Sequence, residues 1–237
     1  MRRCRGAHQT PSASVQRPAR RGHWTRINLF AWSLVLHCLL AGACADAAQY
    51  AYVANQGQNA ILGIDVAAGA VVNVIPVDSP SYIALNPAGT RLYVSSSGSL
   101  AVFVVDTATN GVVATIPVPG VPGKIVVNAS GTRAYVLAQR AGAPGMVLVL
   151  DTKTNSIAST IPLPFSPRTF AVSPAETVLY VTDSPTFADE SMTRGTYVID
   201  IATHAIVALI PQLHPDRRWT NDAVLSPDGM RLYIASQ

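Results

Sequence analysis

Between Tyr50 and Gln237 four short anchors recur in fixed order, and from an aspartate to the isoleucine of an Ile-Pro pair the step is ten residues in all four copies. The first anchor is Tyr-Val or Tyr-Ile followed by small or polar residues, starting at Tyr52, Tyr93, Tyr135, Tyr180 and Tyr233. An aliphatic run closed by aspartate follows, at Asp65, Asp106, Asp151 and Asp200, and then Ile-Pro, at Ile75-Pro76, Ile116-Pro117, Ile161-Pro162 and Ile210-Pro211. The last anchor is a tight-turn signal: Asn86-Pro87-Ala88-Gly89, Asn128-Ala129-Ser130-Gly131, Ser173-Pro174-Ala175-Glu176 and Ser226-Pro227-Asp228-Gly229. Such self-similarity restricts the chain to repeat architectures before any single element is assigned.

Each anchor has a physical role. The Tyr-Val segment, the aliphatic run and the stretch before Ile-Pro are β-branched and aromatic at strand length. In Asp106-Thr-Ala-Thr-Asn110 and Asp151-Thr-Lys-Thr-Asn155 the aspartate can accept turn amides, and the asparagine can take positive φ where the turn ends. Pro-Asp-Gly and its variants suit a short hairpin, with glycine in the left-handed conformation. Glu176 stands at that glycine position in one copy, which predicts a strained or differently built turn. Proline after each third strand ends its ladder, as only an edge strand tolerates.

One repeat is therefore a four-stranded antiparallel unit, with strands A (Tyr82–Asn86 in the second copy), B (Arg91–Ser95), C (Leu100–Asp106) and D (Val112–Pro117). A small sheet with two apolar faces must stack on its neighbours, and a purely β period of 41 to 53 residues suits propeller blades. A β-sandwich also has short, evenly spaced strands, but it does not require the same turn chemistry every blade length. The expected fold is all-β: a β-propeller of four-stranded antiparallel blades, about four and a half repeats being present. The chain enters at strand B, runs through three complete blades (Tyr82–Pro117, Gly123–Pro162 and Arg168–Pro211), and stops after another strand B. Joining Asp222–Ser226 to the first three strands would close four blades and leave Arg231–Ala235 spare, which favours an incomplete ring. That ring is either a truncated frame or an arc completed by another chain, and self-association follows if it is open.

Tyr-Val-x-Asn, Val-x-Asp-Thr-x-Thr-Asn, Thr-Ile-Pro-Val and Ser-Pro-Asp-Gly-x-Arg-Leu-Tyr resemble the YVTN-family β-propeller repeat from Tyr50 to Gln237. The resemblance implies an extracytoplasmic or cell-surface propeller.

Residues 1–45 read as a signal peptide. Seven arginines face no acidic residue, an apolar run from Ile27 to Leu40 follows, and Ala43-Cys44-Ala45 supplies small residues for cleavage after Ala45. The run is shorter than a bilayer requires, so no membrane span is expected once it is removed. Lipoprotein processing with an anchor on Cys44 is a second export reading. The implied location is periplasmic, secreted or cell-surface. Removing the leader leaves ten basic against thirteen acidic residues in 46–237, a net charge of −3, so the basic isoelectric point gives no support to nucleic-acid binding. All three cysteines lie in the leader, leaving no disulfide and no thiolate metal site in 46–237, the propeller domain.

Strand order decides which connections share an end. A–B and C–D turns lie together; B–C and D–A connections lie at the other end. In the last complete blade the B–C connection grows to Ser184–Gly195 and the next D–A connection to Gln212–Asn221, both at that second end. Enlarged loops on a rigid scaffold are where binding concentrates. Candidate ligand- or partner-binding residues there are Asp183, Asp189, Glu190, Arg194, His214, Asp216, Arg217, Arg218, Trp219 and Asn221. Arg168 joins them, because aligned A strands place it with Ser81, Gly123 and Asn221. The arginines suit a carboxylate or phosphate, and Trp219 a sugar or flat ring. The expected partner is a protein or a small polar ligand.

No catalytic residue, metal site or cofactor is assigned: 46–237 holds only His204 and His214, and lacks a nucleophile elbow, a phosphate loop and a dinucleotide motif. His204 stands where asparagine ends the C–D turn in other copies and reads as a turn residue. The leading functional expectation is a binding scaffold. A lactonase-like hydrolase acting on a sugar or organic-acid lactone and a remnant of a longer propeller are the alternatives.

Overall fold

The computed structural model describes residues 49–140, 142–183, 195–211 and 220–236. Residues 1–48, Asp189, Glu190, Arg194, His214, Asp216, Arg217, Arg218 and Trp219 lie outside the described residues, as does the side chain of Asp183.

Among the described residues the β-branched and aromatic runs form five antiparallel sheets. The first holds β1 (Tyr50–Asn55), β2 (Ala60–Asp65) and β3 (Ala70–Pro76). Three four-stranded sheets follow: β4 (Pro80–Leu85), β5 (Arg91–Ser96), β6 (Ala101–Asp106) and β7 (Gly111–Pro117); β8 (Val121–Val127), β9 (Arg133–Arg140), β10 (Ala143–Asp151) and β11 (Ser156–Pro162); β12 (Pro167–Val172), β13 (Val178–Asp183), β14 (Gly195–Asp200) and β15 (Ile206–Pro211). The last sheet pairs β16 (Thr220–Leu225) with β17 (Leu232–Ser236). Each sheet is a meander in sequence order, and β4, β8, β12 and β16 pack successively against one another. This is a propeller-like all-β fold built from four-stranded units, as the repeat predicts. We number the five sheets as blades one to five.

Local chemistry explains the boundaries. Strand C of the second blade begins at Ala101 rather than Leu100, because Leu100 is left-handed (φ 49°) and its carbonyl accepts the Val118 amide across the blade end. Strands β3, β7, β11 and β15 hold sheet edges, and each ends in proline, which has no N–H to give to a further partner. Asn110, Asn155 and His204 all adopt left-handed φ (55°, 52° and 59°) at the C–D turns, so His204 is the turn residue its position predicts. The turn aspartates also behave as expected, with Asp106, Asp151 and Asp200 accepting amides from Thr109, Thr154 and Thr203. Backbone bonds from Thr107 to Thr90, Thr152 to Thr132 and Ile201 to Thr177 tie each C–D turn to the A–B turn of the same blade. The tight turns therefore share one end.

The core lies in the seams between sheets. Tyr93, Val102, Val104 and Ile116 of the second blade bury against Ala134, Val136 and Leu148 of the third. Tyr135, Leu137, Val149 and Ile161 bury against Phe170, Leu179, Val181 and Ile199 in the next seam, where Phe165 stacks on Tyr197 at 4.1 Å. A third cluster joins Ile61 and Ile75 to Leu92, Val94 and Val105. Each fully buried side chain contributes about 1.5–3 kcal/mol relative to exposure. The tyrosine of strand B is the recurring seam residue: Tyr93 and Tyr135 are 1% and 0% exposed, whereas Tyr233, beyond which no further sheet is described, is 54% exposed.

Candidate functional site

Two places gather polar side chains on this scaffold, one at each end. The first lies where the strand A array meets the B–C and D–A connections. In the A–B ladders a β-bulge interrupts the register near the start of strand A: between Pro80 and Tyr82, Pro122 and Ile125, Pro167 and Thr169, and Thr220 and Asp222. Ser81, Arg168 and Asn221 are the extra residues in three of these bulges, and a bulge re-aims its side chain away from the regular ladder. Arg168 is exposed, and its Nε donates to the Thr220 carbonyl at 3.3 Å, which brings it beside Asn221. Asp183 pairs with Pro167 at the same end. Of the sequence-predicted residues, Arg168, Asp183 and Asn221 are thus brought to one end of the fourth and fifth blades.

Lys124 is a residue the sequence reading missed. It stands next to the bulge in β8, at the strand A position held by Tyr82, Thr169 and Asp222 in the other copies. Its ammonium passes the fourth blade and ion-pairs with Asp222 Oδ1 of the fifth, and also donates to the Ala223 carbonyl at 2.7 Å. Thr169 Oγ1 adds a bond to the same carboxylate at 3.2 Å. Burial opposes ionisation of Asp222, but the Lys124 hydrogen bond, the Ala223 amide and the Lys124 charge outweigh it, so its pKa lies below the usual aspartate value. A legible signal existed: opposite charges occupy one aligned position in copies three and five.

The second place is a cavity of about 550 Å³ at the tight-turn end, between the third and fourth blades. Val149, Ala158, Ile201 and Ala202 give it apolar walls, and Arg133, Glu176, Asp200 and His204 bring charge. Glu176 is held at φ 54°, where the other A–B hairpins have Gly89, Gly131 and Gly229 at 68–71°. The expected strain is thus present in a turn of the same left-handed build. Its carboxylate accepts Asn128 Nδ2 at 2.9 and 2.8 Å and the Tyr135 hydroxyl at 3.4 Å, bridging two blades. Burial raises the Tyr135 pKa and the Glu176 charge adds to it, against an opposing hydrogen bond from Arg133.

Neighbouring turns explain why one copy can carry a side chain there. A Cβ on Gly131 would meet Pro87 Cδ of the preceding blade at 3.4 Å, and one on Gly229 would meet Pro174 Cδ at 2.9 Å. Ahead of Glu176 the corresponding proline is replaced by Ala129. Removing the ring opens the space, and the glutamate fills it.

Among the described residues no three of His, Cys, Asp and Glu gather where they could hold a metal ion.

No family model matches the sequence, and no curated protein matches it. Among solved structures, the Kuenenia stuttgartiensis hydrazine synthase is similar in fold, at TM-score 0.69 and 24% identity over 79% of this chain and 52% of that one. This chain therefore spans about half the length of that protein. The likeness extends to the propeller-like arrangement of sheets.

Proposed function

We propose that the chain is an exported propeller of the YVTN-repeat type that serves as a binding scaffold, engaging a protein or a small polar ligand at its B–C/D–A end. One observation carries this reading: Asp183, Gly195, Pro211 and Thr220, the described residues bracketing 184–194 and 212–219, lie at the same end of the fourth and fifth sheets, through the pairs Pro167–Asp183, Gly195–Pro211 and Thr220–Ser236 and the Arg168 bond to the Thr220 carbonyl. The B–C connection therefore starts on β13, the strand next to β12 and its Arg168, and the D–A connection finishes at Thr220, adjoining Asn221. Elsewhere at that end the B–C connections are short, Ser97–Leu100 being one, so the added chemistry is confined to one sector. Export rests on the leader's residue order, and the cell envelope is the corresponding place to find the partner.

The test replaces Arg217, Arg218 and Trp219 with alanine in the tagged full chain and compares capture of a defined cell-envelope component with that of the parent. Capture should fall at least about tenfold, the effect of losing one charge-assisted contact, while the melting temperature stays unchanged. Undiminished capture by the triple variant places the binding surface elsewhere and overturns the assignment.

A further inference from the structure

The tight-turn cavity holds a charge arrangement that the repeat normally cancels within each blade. In the second blade Arg91 opens strand B opposite Asp106, which closes strand C. Asp106 spends Oδ1 on the turn amides of Ala108 and Thr109 and gives Oδ2 to Arg91 at 2.6 Å. All its charge is answered locally.

The third and fourth blades each depart from that pairing, the third keeping both residues unbridged and the fourth lacking the arginine. In the third, Arg133 stands opposite Asp151, but the two form no ion pair. In the fourth, Asp200 still uses Oδ1 for the Thr203 amide and hydroxyl, at 2.7 and 2.8 Å, but Val178 replaces the arginine opposite it. A cation of one blade and an anion of the next, each without its usual partner, thus line the same cavity of about 550 Å³. They do not pair with each other. Glu176 is occupied by Asn128 and Tyr135 and works as a wall holding the seam.

The volume falls in the range of small-molecule pockets, about 300–1,000 Å³. A free anion such as phosphate would meet the carboxylates of Asp200 and Glu176, and a free cation would meet Arg133. What satisfies both is a ligand carrying an anion and a cation a few atoms apart, with an apolar portion for the walls formed by Val149, Ala158 and Ile201. Guanidinium–carboxylate geometry makes a carboxylate the natural anionic end. We propose that this cavity is a binding site for a small zwitterion of the α-amino-acid type, its carboxylate on Arg133 and its ammonium on Asp200. The site lies at the end opposite the B–C/D–A loop surface and does not depend on it.

Isothermal titration of the purified full chain with each proteinogenic L-α-amino acid tests this. At least one should bind saturably, while its methyl ester and its N-acetyl derivative, each lacking one charge, bind at least about tenfold more weakly, the effect of about 1.4 kcal/mol. Arg133→Met and Asp200→Asn should each weaken binding to a similar degree. Because Asp200 also builds its turn, Val178→Arg supplies an independent check: it recreates the Arg91–Asp106 pairing in the fourth blade, so binding should be lost while the melting temperature holds or rises. Absence of binding by every amino acid, equal binding of the blocked forms, or unchanged binding by Arg133→Met and Val178→Arg overturns the proposal.

Discussion

Glu176 offers a separable measure of strain and compensation in one turn. A non-glycine residue in the left-handed region costs about 1–2 kcal/mol, and Glu176 sits there at φ 54°. Against this stand its bonds to Asn128 and the Tyr135 hydroxyl, which join two blades. Hydrogen bonds to a charged group contribute about 1.5–3 kcal/mol, and partial exposure of Glu176 trims this toward the lower figure. Asn128 keeps the Ser130 and Thr132 hydroxyls when the carboxylate goes, so it is not orphaned. Glu176→Ala removes the bonds and keeps the strain; Glu176→Gly removes both. The glycine variant should therefore exceed the alanine variant by about 1–2 kcal/mol, which for a domain of this size is roughly 2–8 °C in melting temperature. The alanine variant should fall below the parent by about 1–2 kcal/mol. Urea titrations followed by tyrosine and tryptophan fluorescence, with thermal melts alongside, give all three differences. An alanine variant as stable as the glycine variant would falsify the strain argument.

Two further predictions follow from the same geometry. Gly229→Ala places a Cβ 2.9 Å from Pro174 Cδ at φ 71°, so it should destabilise the last hairpin by about 1–3 kcal/mol; hydrogen exchange of the β16–β17 amides should accelerate, and an unaffected hairpin would refute the contact. The carboxyls of Asp106, Asp151 and Asp200 are held below the usual 3.8, chiefly by turn amides, and Asp228 chiefly by the Ser226 hydroxyl. A depressed folded-state pKa means the unfolded chain binds more protons, so the stabilisation is complete above pH 3.8 and disappears as the pH falls through the lower folded values. The urea midpoint should be level near neutrality and decline below about pH 4; a midpoint constant down to pH 3 would contradict it.

Most of the fold is legible because its information is local and repeated. The ten-residue step from aspartate to isoleucine sets strands C and D, the Asx turn between them and the proline that closes the edge, all within chain neighbours. Even the anomaly at Glu176 shows as a break in a glycine pattern, and the paired change at Ala129 could have been read beside it. The loop surface is legible as the place where the period lengthens. Other features require blades to be stacked. That Ala129 makes room for Glu176 depends on one hairpin facing the next across a seam. Lys124 and Asp222 are 98 residues apart, and only the curvature of the strand A array lets an ammonium on the third blade reach the fifth. Likewise Arg133 and Asp200 each look like half of an ordinary intrablade pair; packing of the third blade on the fourth puts those halves into one cavity. The sequence thus determined the repeating unit, because strand length, turn chemistry and apolar pattern act over a few residues. Tertiary structure decided which departures from the repeat meet, because meeting depends on packing between blades that no single repeat encodes.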